Sequence, residues 1–128
     1  MSQPSGQPLG ILLRSGGHEA AHYALVLATG AAAVGRPVVL FATNGGCHLL
    51  LRGTPLLRDP REALLAARGV AGIAPLLEAA AELGVRRIAC EAGLRAEGLA
   101  AADLAPEVEV AGVVTFLQAA GAGQLLSL

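Results

Sequence analysis

The stretch Arg36–Cys47, RPVVLFATNGGC, decides the fold. Five apolar residues, Val38–Ala42, stand between Pro37, which has no N–H for a ladder, and the turn-forming Asn44-Gly45-Gly46. A short, continuous, β-branched run bounded in this way reads as a strand buried on both faces, which is the signature of a parallel sheet. Upstream, Gly35 closes an Ala- and Leu-rich helix expected over His18–Val34, preceded by a second buried run, Leu9–Leu13, that ends in Ser15-Gly16-Gly17. Strand, turn, helix and strand in this order make a right-handed βαβ unit. Met1–Pro8 reads as a loose lead-in.

Downstream the alternation continues. Cys47–Leu51 reads as a helical turn, and Arg52–Gly69 as a surface excursion with a short helix at Pro60–Arg68. A helix over Ile73–Leu83, capped by Gly84, precedes a strand over Val85–Ala89. Glu91–Glu97 is a helical turn stopped by Gly98, and the last strands, Val108–Ala111 and Gln124–Ser127, flank a helix over Val113–Ala120. The expectation is one α/β domain over residues 9–128, a three-layer α/β/α arrangement around a mainly parallel five-stranded sheet.

Composition narrows the function. Of 128 residues, 54% are hydrophobic and 15% charged, a surplus of apolar surface that predicts covered sheet faces and a homo-oligomer. A net charge of −1 supplies no field for steering toward nucleic acid. The longest weakly apolar run, Ala20–Val34, is interrupted by His22, Thr29 and Gly30 and is too short for a membrane span. Two cysteines, with no signal-like start, indicate reduced thiols and a cytoplasmic setting.

Parallel sheets gather ligands at the carboxyl ends of their strands, and the reactive side chains fall there. Cys90 lies between a strand and a helical segment beginning at Glu91, where a helix dipole and unpaired N–H groups stabilise a thiolate or a persulfide anion. Glu91 opposes this by like charge, and a small buried hydrophobe is the plain alternative for Cys90. Ser15, Gly16 and Gly17 suit either an anion-binding turn or an ordinary connection, and Asn44 and Cys47 stand at the same edge. His18-Glu19-Ala20-Ala21-His22 matches the H-E-x-x-H zinc-hydrolase pattern, without the extended third ligand. His18, His22 and His48 with the two cysteines also offer nitrogen and sulfur ligands for a metal, although their spacing specifies none. Arg52, Arg58, Arg61 and Arg68 read as a solvated face or a contact for an acidic partner.

The succession of Ser-Gly-Gly after the first strand, RPVVLFATNGG, LGVRRIACEAGLRAEGL and VEVAGVVTFLQAAGAGQLLSL resembles the DsrE/DsrF-like family of sulfur-relay proteins, in the branch often called peroxiredoxin-like. The similarity runs from Leu9 to Leu128 except for part of the excursion. Its most specific stretch is Cys90 with Gly98-Leu99, followed by Val110-Ala111-Gly112-Val113. The resemblance implies a parallel five-stranded sheet between helix layers, assembly into trimers or hexamers, and sulfur accepted on Cys90, with rhodanese-like or TusA-like proteins as donors and acceptors and no cofactor. Cys47-His48 and H-E-x-x-H depart from the family pattern. The expected function is therefore a persulfide carrier or sulfurtransferase-like protein. A non-catalytic oligomeric module holding a metal or small anion is the alternative, and zinc hydrolysis the third reading.

Overall fold

The computed structural model of the chain describes residues 6–128, so most of the expected lead-in, residues 1–5, lies outside the described residues. Strands β1 (Leu9–Leu13), β2 (Val38–Ala42), β3 (Arg86–Cys90), β4 (Glu109–Ala111) and β5 (Gln124–Ser127) form one sheet in the order β4-β3-β2-β1-β5. Every neighbouring pair is parallel. Helices α1 (His18–Ala33), α2 (Pro60–Ala67), α3 (Ile73–Glu82), α4 (Glu91–Ala96) and α5 (Val113–Ala120) connect them, with 3₁₀ segments at Asn44–Leu50, Pro55–Arg58 and Ala101–Asp103.

The layering follows from this order and the right-handed crossover rule. Steps from β1 to β2, β3 and β4 all run in one direction, so α1, α3 and α4 fall on one face. The return from β4 to β5 at the opposite edge carries α5 to the other. The core divides accordingly. Leu9, Ile11, Leu13, Val38, Leu40, Ala42 and Ala89 pack under α1 and α3, while the alternate residues Val39, Phe41, Ile88 and Cys90 pack with Phe116 of α5. The rings of Phe41 and Phe116 stack at 4.8 Å between centroids. Gly10 lets α5 approach, since a Cβ there would lie 2.9 Å from the Cβ of Ala120 and 3.2 Å from the Phe116 ring.

The expected bounds of β1, β2, α5 and β5 coincide with those found, whereas others shift for visible reasons. β3 runs Arg86–Cys90 rather than Val85–Ala89 because the Val85 N–H still donates to Ala80 O at the end of α3. The ladder begins where Arg86 aligns with Val39. β4 begins at Glu109 rather than Val108, whose N–H closes a turn onto Ala105 O, just after Glu107 with its φ of +70°. α1 ends one residue before Val34, which caps it. The helical turn expected over Cys47–Leu51 instead starts at Asn44, whose φ of +50° begins the bend, and Leu51 leaves it to bridge Leu104.

Candidate functional site

Cys90 is at once the last residue of β3, aligned with Ala111 of β4, and the N-cap of α4. Its sulfur accepts the Gly93 N–H at 3.4 Å. The residue is 9% exposed, with Val39, Phe41, Ile88 and Phe116 in the same apolar cluster. Gly93 holds this turn in place, because a Cβ on it would lie 2.5 Å from the Asn44 nitrogen and 2.6 Å from Thr43 Oγ1. The start of α4 therefore rests directly on the backbone leaving β2. Glu91 is exposed and bonded to Arg95 at 2.9 Å, so the charge beside Cys90 has a counterion one turn away.

Cys47 is expected at the same edge as Cys90, and the structure places it near that residue but on the other side of the sheet. It is fully buried in the cluster beneath α1 and α3, and its thiol donates to Ala42 O at 3.5 Å. Burial pushes this thiol up to about 11, and the nearby sulfur of Cys90 adds to the shift, while the Cys90 backbone N–H opposes it. Cys47 is therefore a neutral thiol at physiological pH. Both cysteines are free. His48, its neighbour in sequence, points outward and meets Glu97 at 3.0 Å.

The H-E-x-x-H segment does a different job from the one its pattern suggests. His18 and His22 do lie on one face of α1, with rings stacked at 5.9 Å, yet each takes its own protein partner. The Nε2 of His18 meets Glu62 of α2 at 2.7 Å, and His22 Nε2–H donates to Ala71 O at 2.8 Å. Burial raises the Glu62 carboxyl, but the Ile73 N–H at 2.7 Å and His18 outweigh it and hold the group below the usual carboxylate range. His18 is buried and its Nδ1 has no partner among the described residues. The pair thus fastens α2 and the start of α3 onto α1. His48 is not brought to it, and among the described residues no three His, Cys, Asp or Glu side chains converge to hold a metal.

The Ser15-Gly16-Gly17 turn satisfies itself, with the Gly17 N–H donating to Ser15 Oγ at 3.1 Å, and Gly16 abuts Gly45. A shallow hollow of about 500 Å³ opens beside it between Ser15, Gly17, Glu19, Ala20, Tyr23 and Leu128, with Cys90 not among its walls. Sequence reasoning missed Gly93, Glu62 and Glu97. An isolated glycine inside a helical pattern is a recognised sign of close packing, and Asp59 three residues before Glu62 resembles a capping pair. Nothing in the sequence tells which elements these residues meet.

A five-stranded parallel sheet between helix layers, with a cysteine at a strand's carboxyl end capping the following helix, defines the class of this protein as a small three-layer α/β fold. The model of the DsrE/DsrF-like family matches residues 7–127, and the chain belongs to that family, which is associated with sulfur relay. The fold is similar to that of the ychN protein from E. coli, with a TM-score of 0.74 and 20% identity over 96% of this chain and 100% of the other. It is also similar to MTH1491 from Methanobacterium thermoautotrophicum, a protein of unknown function, with a TM-score of 0.65 and 17% identity over the same shares. No curated protein sequence matches the chain. Among the described residues, no helix is long and apolar enough to cross a membrane.

Proposed function

We propose that this protein carries sulfane sulfur on Cys90. The observation that carries the reading is the placement of the Cys90 sulfur at the N-terminus of α4, where it accepts the Gly93 N–H at the sheet's carboxyl edge. In the first step the Cys90 thiolate attacks the outer sulfur of a donor persulfide, and the donor's S–S bond breaks. The donor leaves as its thiolate, and the outer sulfur stays on Cys90 as a persulfide. In the second step an acceptor thiolate attacks that outer sulfur and releases the Cys90 thiolate. No net oxidation occurs, so the exchange draws on no cofactor. N–H donors at a helix N-terminus stabilise sulfur anions, and Cys90 is set among apolar side chains.

The donor and acceptor are proteins of rhodanese-like or TusA-like chemistry, and the reaction takes place in the cytoplasm, where free thiols persist. Residues 9–128 act as one domain. Val110, Val113, Val114 and Leu117 are 41–64% exposed along β4 and α5, and a homotrimer or homohexamer covers them. The test is transfer. Wild-type protein incubated with a low-molecular-weight persulfide and freed of excess donor should release sulfide on addition of dithiothreitol, and Cys90→Ser should release none. Equal release from both proteins removes Cys90 from the reaction.

A further inference from the structure

The arginines of the chain fall into two groups. Arg14, Arg36, Arg86, Arg87 and Arg95 each donate to a neighbouring side chain or carbonyl. Arg52, Arg58, Arg61 and Arg68 are exposed, and among the described residues their guanidinium groups form no hydrogen bond or ion pair. All four lie in the excursion between β2 and α3. The two acids of the same stretch are both committed to the fold, Asp59 capping α2 through the Arg61 N–H at 2.8 Å and Glu62 meeting His18 and the Ile73 N–H at 2.7 Å. Arg61, Leu64 and Arg68 share one face of α2 by their spacing, and Leu57 and Leu64 are each 39% exposed.

This surface is held firmly, and it lies at the edge of the sheet where Cys90 lies. Glu62 reaches His18, which follows the carboxyl end of β1. Thr54, 1% exposed, donates to His48 O at 2.6 Å in the segment that follows the carboxyl end of β2, and accepts the Leu56 N–H at 3.3 Å. Cys90 ends β3 at that same edge. Preorganised groups lose little freedom when a partner arrives.

We propose that the excursion is a docking surface for an acidic face of the protein that exchanges sulfur with Cys90, with Arg58, Arg61 and Arg68 pairing with its carboxylates and Leu57 and Leu64 packing between them. The proposal rests on the reading of Cys90 as the sulfur carrier. Charge complementarity selects the partner. Arginine matches carboxylates in a two-pronged geometry and is enriched in protein interfaces, and no acid of the chain answers these three. Outside the excursion the chain carries five Arg against eight Asp and Glu, a balance that repels the extended negative charge of nucleic acid or an anionic lipid surface. A compact acidic patch on a protein meets the excursion alone.

The test compares two synthetic peptides of equal length, each carrying one cysteine persulfide, flanked by glutamates in one and by serines in the other. The chemical step is the same for both: the Cys90 thiolate takes the outer sulfur and the peptide leaves as its thiolate. Loading is followed by intact mass, and folding of each variant by far-UV circular dichroism. At low salt the glutamate peptide should load wild type roughly 10-fold faster than the serine peptide, and about 0.5 M salt should remove most of that preference by screening exposed charges. Arg58→Gln, Arg61→Gln and Arg68→Gln combined should bring the two peptides within about twofold of each other, with loading from the serine peptide unchanged. The corresponding triple Lys variant keeps the charge and should keep the preference. A wild type that loads both peptides equally, or a triple Gln variant that retains the preference, overturns the docking surface alone. Binding of duplex DNA or of phosphatidylglycerol vesicles that the Gln variant loses, with no preference between the peptides, also overturns it and gives the surface to another class of partner. A wild type that takes sulfur from neither peptide overturns the carrier reading and this proposal with it.

Discussion

Gly93→Ala separates two opposing effects whose sizes can be set against each other. Gly93 is the third residue of α4, and alanine in a helix is ordinarily favoured over glycine by about 1 kcal/mol. Here the new Cβ would lie 2.5 Å from the Asn44 nitrogen and 3.0 Å from Thr43 Cα. Ordinary carbon contacts begin near 3.5 Å, so α4 has to retreat by roughly 1 Å from a backbone that is itself anchored in the sheet. Overpacking of this kind costs up to about 3 kcal/mol, which leaves a net destabilisation of about 2 kcal/mol. For a chain of this size that corresponds to a fall in Tm of roughly 6–10 °C. The same retreat draws the Gly93 N–H away from the Cys90 sulfur, so alkylation of Cys90 should slow as well. Thermal melts followed at 222 nm and iodoacetamide kinetics at pH 7 check both arms. A variant as stable as wild type with unchanged Cys90 reactivity refutes the claim that α4 is seated on the Thr43–Asn44 backbone.

Glu62 gives a pH-dependent prediction. Its carboxyl titrates below 4.5 in the folded chain and near that value when unfolded, so the unfolded state takes up the proton first. Its contribution is fully present above that range and fades as pH falls through the folded value, and Glu62→Gln should flatten this acid limb in urea titrations between pH 6 and pH 3. An unchanged limb contradicts the clamp between α1 and α3. Phe116→Ala deletes the α5 ring stacked on Phe41 and should cost about 3–5 kcal/mol in urea denaturation. A loss under 1 kcal/mol counts against the two-cluster core. Val114, 64% exposed on α5, should tolerate Val114→Glu in the folded subunit while the proposed trimer or hexamer dissociates in light scattering. A monomeric wild type, or an assembly indifferent to the change, removes this face from the interface.

Local signals carried much of the fold. Leu9–Leu13 and Val38–Ala42 are short apolar runs closed by turn residues, Gln124–Ser127 follows the turn through Gly121 and Gly123, and the bounds of all three emerge unchanged. Val85 illustrates the opposite case. By composition it belongs to a strand, but its N–H completes the end of α3, a choice fixed by the helix rather than by the strand. Strand order was out of reach locally, since the placement of β5 beside β1 depends on where α5 can lie.

The site divides in the same way. Cys90 at a strand end is legible because a strand and a helix start meet there, whereas Gly93 shows its purpose only against Asn44. His18 and His22 share a helical face by spacing alone. What that face meets, Glu62 and the Ala71 carbonyl rather than an open cleft, is a tertiary fact that the H-E-x-x-H pattern cannot encode. Cys47 and His48 are adjacent in sequence and go opposite ways, one into the core and one to Glu97.

The most direct test of the account is the intact mass of the native protein after incubation with a persulfide donor under anaerobic conditions. The account predicts the added mass of one sulfur on the wild type, its absence in Cys90→Ser, and its retention in Cys47→Ser. A wild type that gains no sulfur, or a Cys90→Ser protein that gains it equally well, contradicts the assignment of Cys90 as the carrier.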